Sequence, residues 1–204
     1  MKKLKYIVLV LSFVLILTGC KSKEDKGISE AANNTSLSSS KVNSYRVKVS
    51  IRGTNNKKEV NMNYIVLNKG NKNYDISLTE GEDRKQITIQ NKKTTITNSK
   101  GEEVKEKLKY DYTDTDLFLT GLNKSSNNKT KEEKIGEETY TIYDFKVSNS
   151  IMDKILKPFD LKSSGEVTGT SYVDKNDQVY LIMYSCDNLN ISVSYTRLSD
   201  KTVK

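Results

Sequence analysis

From residue 44 onward, apolar residues occupy alternate positions in a series of short segments. The first segment begins at Tyr45 and has an apolar side chain at every second position up to Ile51, a period typical of strands with one buried face. Each segment ends in a cluster of the glycine, asparagine or aspartate residues that favour tight turns. The close spacing of these clusters predicts an antiparallel meander, because parallel strands need long crossover connections. The turn signals lie at Gly53, Gly70, Gly81, Gly101 and residues 174–177.

The middle of the chain departs from this alternation. Residues 117–119 are apolar in succession and predict a short helix or an irregular flap, and residues 123–133 form a predicted polar loop. A preceding serine is a suitable cap for a helix over residues 151–156, which Pro158 ends. We therefore predict a mainly β (α+β) domain over residues 44–196, built as a curved antiparallel sheet or half-barrel with one or two short helices.

Residues 1–19 have the pattern of a secretory signal peptide. Lysines follow Met1 closely, and residues 7–17 are apolar except for one serine. A basic start and a short apolar run are typical of such signals, and the run is shorter than the roughly 20 apolar residues that a membrane span needs. It ends in Leu17-Thr18-Gly19-Cys20, which resembles the bacterial lipobox. The resemblance implies that a diacylglycerol is joined to the Cys20 sulfur and that the peptide bond before Cys20 is cut.

Lipidation would make Cys20 the amino terminus of a protein anchored to the extracytoplasmic face of the cell membrane, since two acyl chains anchor stably where one is marginal. Residues 20–43 are rich in serine, asparagine and lysine. This composition predicts a flexible tether with an end-to-end distance of roughly 25 Å. Residues 197–204 predict a polar C-terminal tail.

The charge of the chain narrows the classes of partner. The net charge is +8, but three of the lysines belong to the predicted signal peptide, and basic and acidic residues alternate along most of the remaining chain. No basic run interleaves with aromatic residues, which argues against a nucleic-acid partner. The predicted partners are the membrane, through the lipid anchor, and either a lipid or acylated ligand or an envelope protein.

The residue types present disfavour catalysis and metal binding. The chain contains no histidine, which excludes Ser-His and Cys-His nucleophiles and disfavours zinc and copper sites. We therefore predict no enzyme, no metal and no cofactor beyond the diacylglycerol on Cys20. Asp111, Asp114 and Asp116 could suggest a calcium loop, but the central glycine of such a loop is missing. Turn and capping roles are therefore favoured for these residues. With Cys20 acylated, Cys186 has no intramolecular partner and fits the role of a small buried hydrophobe.

Two segments and the order of the predicted elements resemble a known family. Residues 42–47 read VNSYRV and residues 165–174 read GEVTGTSYVD, and a helical interruption separates two sets of hairpins. This arrangement resembles the LolA/LppX-type lipoprotein domains. The resemblance implies a half-open antiparallel barrel wrapped around helices. It also implies a protein that binds lipids or acylated proteins on the concave face, or that acts as an envelope sensor or partner.

Two hypotheses about function follow. The first is a non-catalytic binding module for a lipid or other hydrophobic ligand, and the second is an envelope structural or regulatory protein that acts through protein contacts, with residues 123–138 at its interface. An exposed apolar groove would favour the first hypothesis over the second. The candidate ligand-lining residues are apolar positions of the predicted strands: Met62, Tyr64, Ile76, Ile87, Tyr172 and Met183.

Overall fold

The computed structural model describes residues 23–36 and 44–198. Helix α1 (Lys23–Thr35) precedes a single sheet of ten strands. The predicted signal peptide, Cys20 and the remaining parts of the predicted tether and C-terminal tail lie outside the described residues. The strands are β1 (Tyr45–Asn55), β2 (Lys58–Asn68), β3 (Tyr74–Glu80), β4 (Asp83–Gln90), β5 (Lys93–Asn98), β6 (Ser126–Ile135), β7 (Glu138–Val147), β8 (Val167–Val173), β9 (Val179–Ser185) and β10 (Leu189–Arg197).

The ten strands form two meanders that meet at the centre of the sheet. Strands β1 to β5 run outward to one edge, strands β6 to β10 return from the opposite edge, and β1 pairs with β10. All pairings are antiparallel, and the two edge strands do not meet, so the curved sheet stays open. The prediction of a mainly β half-barrel is confirmed.

Tight turns connect the strands of the first meander. Three of its hairpins reverse on an Asn-Lys pair, at residues 56–57, 71–72 and 91–92, and both residues of each pair have positive φ. Turns with this conformation match the right-handed twist of the flanking strands. Strand β1 continues through Gly53, where the predicted turn does not form. With φ of 143°, Gly53 lies so close to the Asn188 carbonyl that a Cβ would collide with it.

Helices cover one face of the sheet. Besides α1, these are α2 (Leu119–Asn123), which follows the 3₁₀ turn Asp116–Phe118, and α3 (Asn149–Leu156), which leads into the 3₁₀ turn Lys157–Phe159. Helix α3 contains the predicted helix over residues 151–156, and three helices form where one or two were predicted. Among the described residues, no helix has both the length and the hydropathy to cross a bilayer.

The segment between β5 and β6 crosses the helix-covered face from one edge of the sheet to the other. Two buried tyrosines of the sheet hold it there: the Tyr184 hydroxyl donates to the Phe118 carbonyl, and the Tyr195 hydroxyl donates to the Thr115 carbonyl at 2.9 Å. Complete burial raises the pKa of Tyr184, which keeps its hydroxyl a neutral donor. Gly121 leaves room for the Tyr184 ring, since a Cβ at this position would collide with it.

Within the predicted flexible tether of residues 20–43, the described residues 23–35 form helix α1 instead. Ile28, Ala31 and Ala32 are fully buried, and the helix packs against β6, β8, β9 and α2. The Thr35 hydroxyl accepts a hydrogen bond of 2.6 Å from the backbone N–H of Val179. The three buried residues follow the i, i+3, i+4 spacing of one helix face. This narrow stripe packs on the sheet although the rest of the helix is polar.

Strand β6 corrects the prediction of a polar loop over residues 123–133. It is an edge strand of the sheet, and among the described strands it pairs only with β7. Its lysines and glutamates suit an exposed edge, because charged side chains oppose pairing with a second sheet. One such pair is Lys131 with Glu133, whose Nζ and Oε2 atoms lie 2.7 Å apart. The sequence of this strand has no apolar alternation, so the strand is defined by its backbone pairing with β7.

Candidate functional site

The face of the sheet away from the helices forms an open trough. Its volume is about 1120 Å³, and its lining extends from β3 across the centre of the sheet to Ser126 at the start of β6. Eight adjacent strands contribute, so the curvature of the sheet itself shapes the trough. The strand register places the lining side chains in three rows that run across the strands.

The first row carries two branched apolar side chains. Lys48 on β1 lies opposite Ile65 on β2 and Ser194 on β10, and Ser194 in turn lies opposite Leu181 on β9. Ile65 is 38% exposed, which is unusual for a large aliphatic residue in this protein. The long aliphatic part of the Lys48 side chain lies in the same row, so the apolar surface extends from β2 onto β1.

Beyond the trough, the first row continues into a tyrosine cluster. Tyr172 lies opposite Leu181, and its ring centroid is 6.4 Å from that of Tyr140. The Tyr140 ring is also 4.9 Å from that of Tyr180, which is 41% exposed. Aromatic rings at these separations attract each other. The apolar side of the trough is therefore continuous with an aromatic surface on β7, β8 and β9.

The second row consists mostly of small polar side chains. Ser50 lies at its centre on β1, between Asn63 on β2 and Ser192 on β10. The Ser50 hydroxyl donates to the Asn63 side-chain carbonyl at 2.7 Å. Met183 on β9 follows Ser192 in this row and is 37% exposed. Short side chains leave space above the sheet, and Met183 adds an apolar contact at one side of that space.

The third row is polar and carries positive charge. Arg52 on β1 lies opposite Asn190 on β10, and Asn190 lies opposite Ser185 on β9. The Ser185 hydroxyl donates to the Asn190 side-chain carbonyl at 3.0 Å. Thr168 and Lys146 complete the row on β8 and β7. This end of the trough offers mainly hydrogen-bonding groups.

Some charged residues of the trough already have a salt-bridge or hydrogen-bond partner within the described part of the protein, and others do not. Lys146 contacts Glu166, with 2.5 Å between Nζ and Oε1, and Asp144 accepts a hydrogen bond of 2.8 Å from the Thr170 hydroxyl. Lys48 and Arg52 are exposed, and neither forms a salt bridge with another residue of the described part of the chain. The centre of the trough therefore carries positive charge on β1.

The structure separates the six predicted ligand-lining residues onto two faces. Met62, Tyr64, Ile76 and Ile87 point to the helix-covered face, where they are between 0% and 6% exposed within the core. Burial raises the pKa of Tyr64, with the neighbouring Tyr112 adding to the effect. Tyr172 and Met183 lie on the helix-free face. The six residues therefore do not line one surface, and Tyr172 and Met183 are those that the helices leave uncovered.

Most trough residues were missed because they are the polar members of the alternating strands. The sequence predicts ligand contacts at apolar positions, whereas the trough is lined largely by serine, threonine, asparagine and lysine. The signal available in the sequence was the short side chain at successive outward positions, such as Ser50, Ser192 and Ser194.

The aspartates considered for a calcium loop and the second cysteine, Cys186, have structural roles in the described part of the chain. Asp111 accepts hydrogen bonds from the backbone N–H and hydroxyl of Thr113, at 3.0 and 2.7 Å, which is a turn role. Burial, with the nearby Asp111 and Asp116, raises the pKa of Asp114. Cys186 is half-buried, and its thiol donates to the Asn188 side-chain carbonyl at 3.2 Å.

Comparison with solved structures identifies the fold. LprF from Mycobacterium bovis is 12% identical and matches with a TM-score of 0.57, covering 86% of this chain and 96% of LprF. The lipoprotein LppX from Mycobacterium tuberculosis is 12% identical, with a TM-score of 0.48 over 84% of this chain and 91% of LppX. A LolA-superfamily protein from Nitrosomonas europaea is 13% identical, with a TM-score of 0.33 over 90% of this chain and 98% of that protein.

The match to LprF shows that the two proteins share a fold. The predicted resemblance to LolA/LppX-type domains is therefore confirmed for the fold. No protein-family model matches the sequence, and no curated protein matches it.

Proposed function

We propose that this protein is a lipid-anchored extracytoplasmic lipoprotein that binds a hydrophobic or amphiphilic ligand in the trough, without catalysis. The observation that carries the proposal is the open trough of about 1120 Å³, which holds the exposed Ile65 and Met183 and the half-buried Leu181. Ligand sites typically have volumes of roughly 300 to 1,000 Å³, so the trough is large enough for a ligand with an acyl chain.

The exposed apolar side chains support binding rather than a purely structural role. Most large apolar residues of the described chain are buried, and two of the few exposed ones, Ile65 and Met183, lie in the trough. Apolar side chains gathered in an exposed concavity usually mark an interaction site. An exposed apolar groove is the feature that favours a ligand-binding module over an envelope protein acting through protein contacts, and the trough is apolar only around Ile65, Leu181 and Met183.

The lipid anchor would hold the domain close to the membrane. The proposal places a diacylglycerol on Cys20, and α1 begins at Lys23. Consecutive Cα atoms are 3.8 Å apart, so the chain between these residues spans at most about 11 Å. The start of α1 would therefore lie close to the bilayer surface.

Replacing Met183 with aspartate tests the proposed site. Met183 is 37% exposed, so Met183→Asp should leave the domain folded. The loss of one apolar contact and the added charge should weaken binding of an uncharged fluorescent probe with a 12-carbon chain about tenfold. Binding is measured by fluorescence with the full chain in phosphatidylcholine nanodiscs, and empty nanodiscs report partitioning into lipid.

Ile135→Asp is the matched control. Ile135 is 45% exposed and lies on β6 outside the trough. This variant should bind the probe as the unmodified chain does, and both variants should keep their thermal unfolding midpoints. Equal loss of binding in the two variants, or no binding by the unmodified chain, would refute the proposed function.

A further inference from the structure

The polarity of the trough changes across its central strands. Leu181 and Met183 on β9 provide an apolar side, while Lys48 and Arg52 on β1 provide a basic side. Strand β10 separates them and contributes only asparagine and serine to the trough surface at these rows. Because β1 and β9 are two strand spacings apart, the basic and apolar sides are about 10 Å apart.

The basic side has the geometry of a site for one anion. Lys48 and Arg52 are four residues apart on the same face of β1, and Ser50 lies between them. Their Cα atoms are therefore about 13 Å apart, and both long side chains can reach an anion above Ser50. Asn63 on β2 and Ser192 on β10 lie directly opposite Ser50 and flank this position with polar groups.

The charges nearby leave this position positive. Asp144, the acidic residue of the trough lining, is on β7, four strands from β1, and accepts a hydrogen bond from Thr170. The Nζ of Lys146 is held at 2.5 Å from Glu166, away from β1. An anion above Ser50 would therefore meet the two cations of β1. The residues opposite them on the adjacent strands β2 and β10 include no carboxylate.

Resting on the proposed function, we infer that the ligand is an anionic single-chain amphiphile. Its negatively charged head group binds between Lys48 and Arg52 above Ser50. Its acyl chain crosses the serines of β10 and lies against Leu181 and Met183. A neutral lipid would leave both cations without a counter-charge, and a cationic amphiphile would be repelled by them.

Binding of matched fluorescent probes tests the inference. Three probes share a 12-carbon chain and carry a phosphate, an uncharged sugar or a trimethylammonium head group. The full chain in phosphatidylcholine nanodiscs should bind the phosphate probe about tenfold more tightly than the trimethylammonium probe. In Arg52→Glu and Lys48→Glu this preference should vanish or reverse, while binding of the uncharged probe should change less than about twofold.

Arg84→Glu is the control for a general change of charge. Arg84 is exposed on β4, outside the trough, and this variant should keep the preference for the phosphate probe. Inorganic phosphate is added as a competitor to separate a free-anion site from an amphiphile site. Only weak competition is expected, because the anion lacks the acyl chain; displacement of the probe at equal concentration would overturn the amphiphile assignment.

The outcomes separate this inference from the proposed function. If the unmodified chain binds all three probes equally, or if Arg52→Glu keeps the preference, the anionic head-group site is wrong while ligand binding in the trough stands. If the unmodified chain binds none of the probes, the proposed function fails and the head-group site fails with it.

Discussion

Replacing Ile76 with aspartate is expected to unfold the domain. Ile76 is 0% exposed in the core between the sheet and the helices. A carboxylate there would lose its water without gaining a partner, and such changes cost about 4 kcal/mol or more, a large part of the stability of an ordinary domain. Circular dichroism and urea unfolding of the full chain should show loss of the cooperative transition for Ile76→Asp.

Ser77→Asp is the matched control at the next position of the same strand. Ser77 lies on the opposite face, where it is partly exposed in the trough and donates a hydrogen bond of 2.9 Å to Gln86. This variant should unfold cooperatively, with a free energy of unfolding within about 1 kcal/mol of the unmodified chain. A stable Ile76→Asp variant, or an unfolded Ser77→Asp variant, would contradict the assignment of the two faces.

Replacing Cys20 with alanine is expected to abolish lipid attachment. The prediction rests on Leu17-Thr18-Gly19-Cys20 after a basic and apolar leader, because the thiol is the group to which the diacylglycerol is joined. Metabolic labelling of expressing bacteria with a tagged fatty acid, followed by gel analysis, should show label in the unmodified protein and none in Cys20→Ala.

The second cysteine of the chain supplies the control for this experiment. The chain has 2 cysteines, and the other, Cys186, is half-buried at the end of β9. Cys186→Ala should incorporate as much label as the unmodified protein. Label that persists in Cys20→Ala, or that disappears in Cys186→Ala, would show that the leader does not direct lipidation of Cys20.

The fold was largely predictable because most strands have one buried face. In β1 the buried and exposed positions alternate from Tyr45 to Ile51, as the period of two requires. Helix α1 was not predictable from the sequence, because most of its residues are polar. It is held by three buried residues that pack on a surface which exists only once the sheet has folded: Ile28, Ala31 and Ala32. Strand β6 was missed for a related reason: as a polar edge strand it is defined by pairing with β7 rather than by its own pattern.

The position of the trough was less predictable than the fold. Alternation shows that Ile76 and Ser77 face opposite ways, but it does not show which face the helices cover. The helices cover the apolar face closely, so Met62, Tyr64, Ile76 and Ile87 became core. The open volume lies instead on the polar face, where the curvature of eight strands creates a concavity. No local sequence pattern reports this curvature.

The central claim is that a ligand binds the helix-free face of the sheet, and photolabelling tests it most directly. A fatty acid with a diazirine near the end of its chain is irradiated with the full chain in phosphatidylcholine nanodiscs, and labelled residues are located by peptide mass spectrometry. Labels are expected on Leu181 and Met183, and unlabelled fatty acid should suppress them. Labels on Tyr112, Leu122 or Phe159, which are buried on the helix-covered side, would place the ligand between helices and sheet and contradict the account.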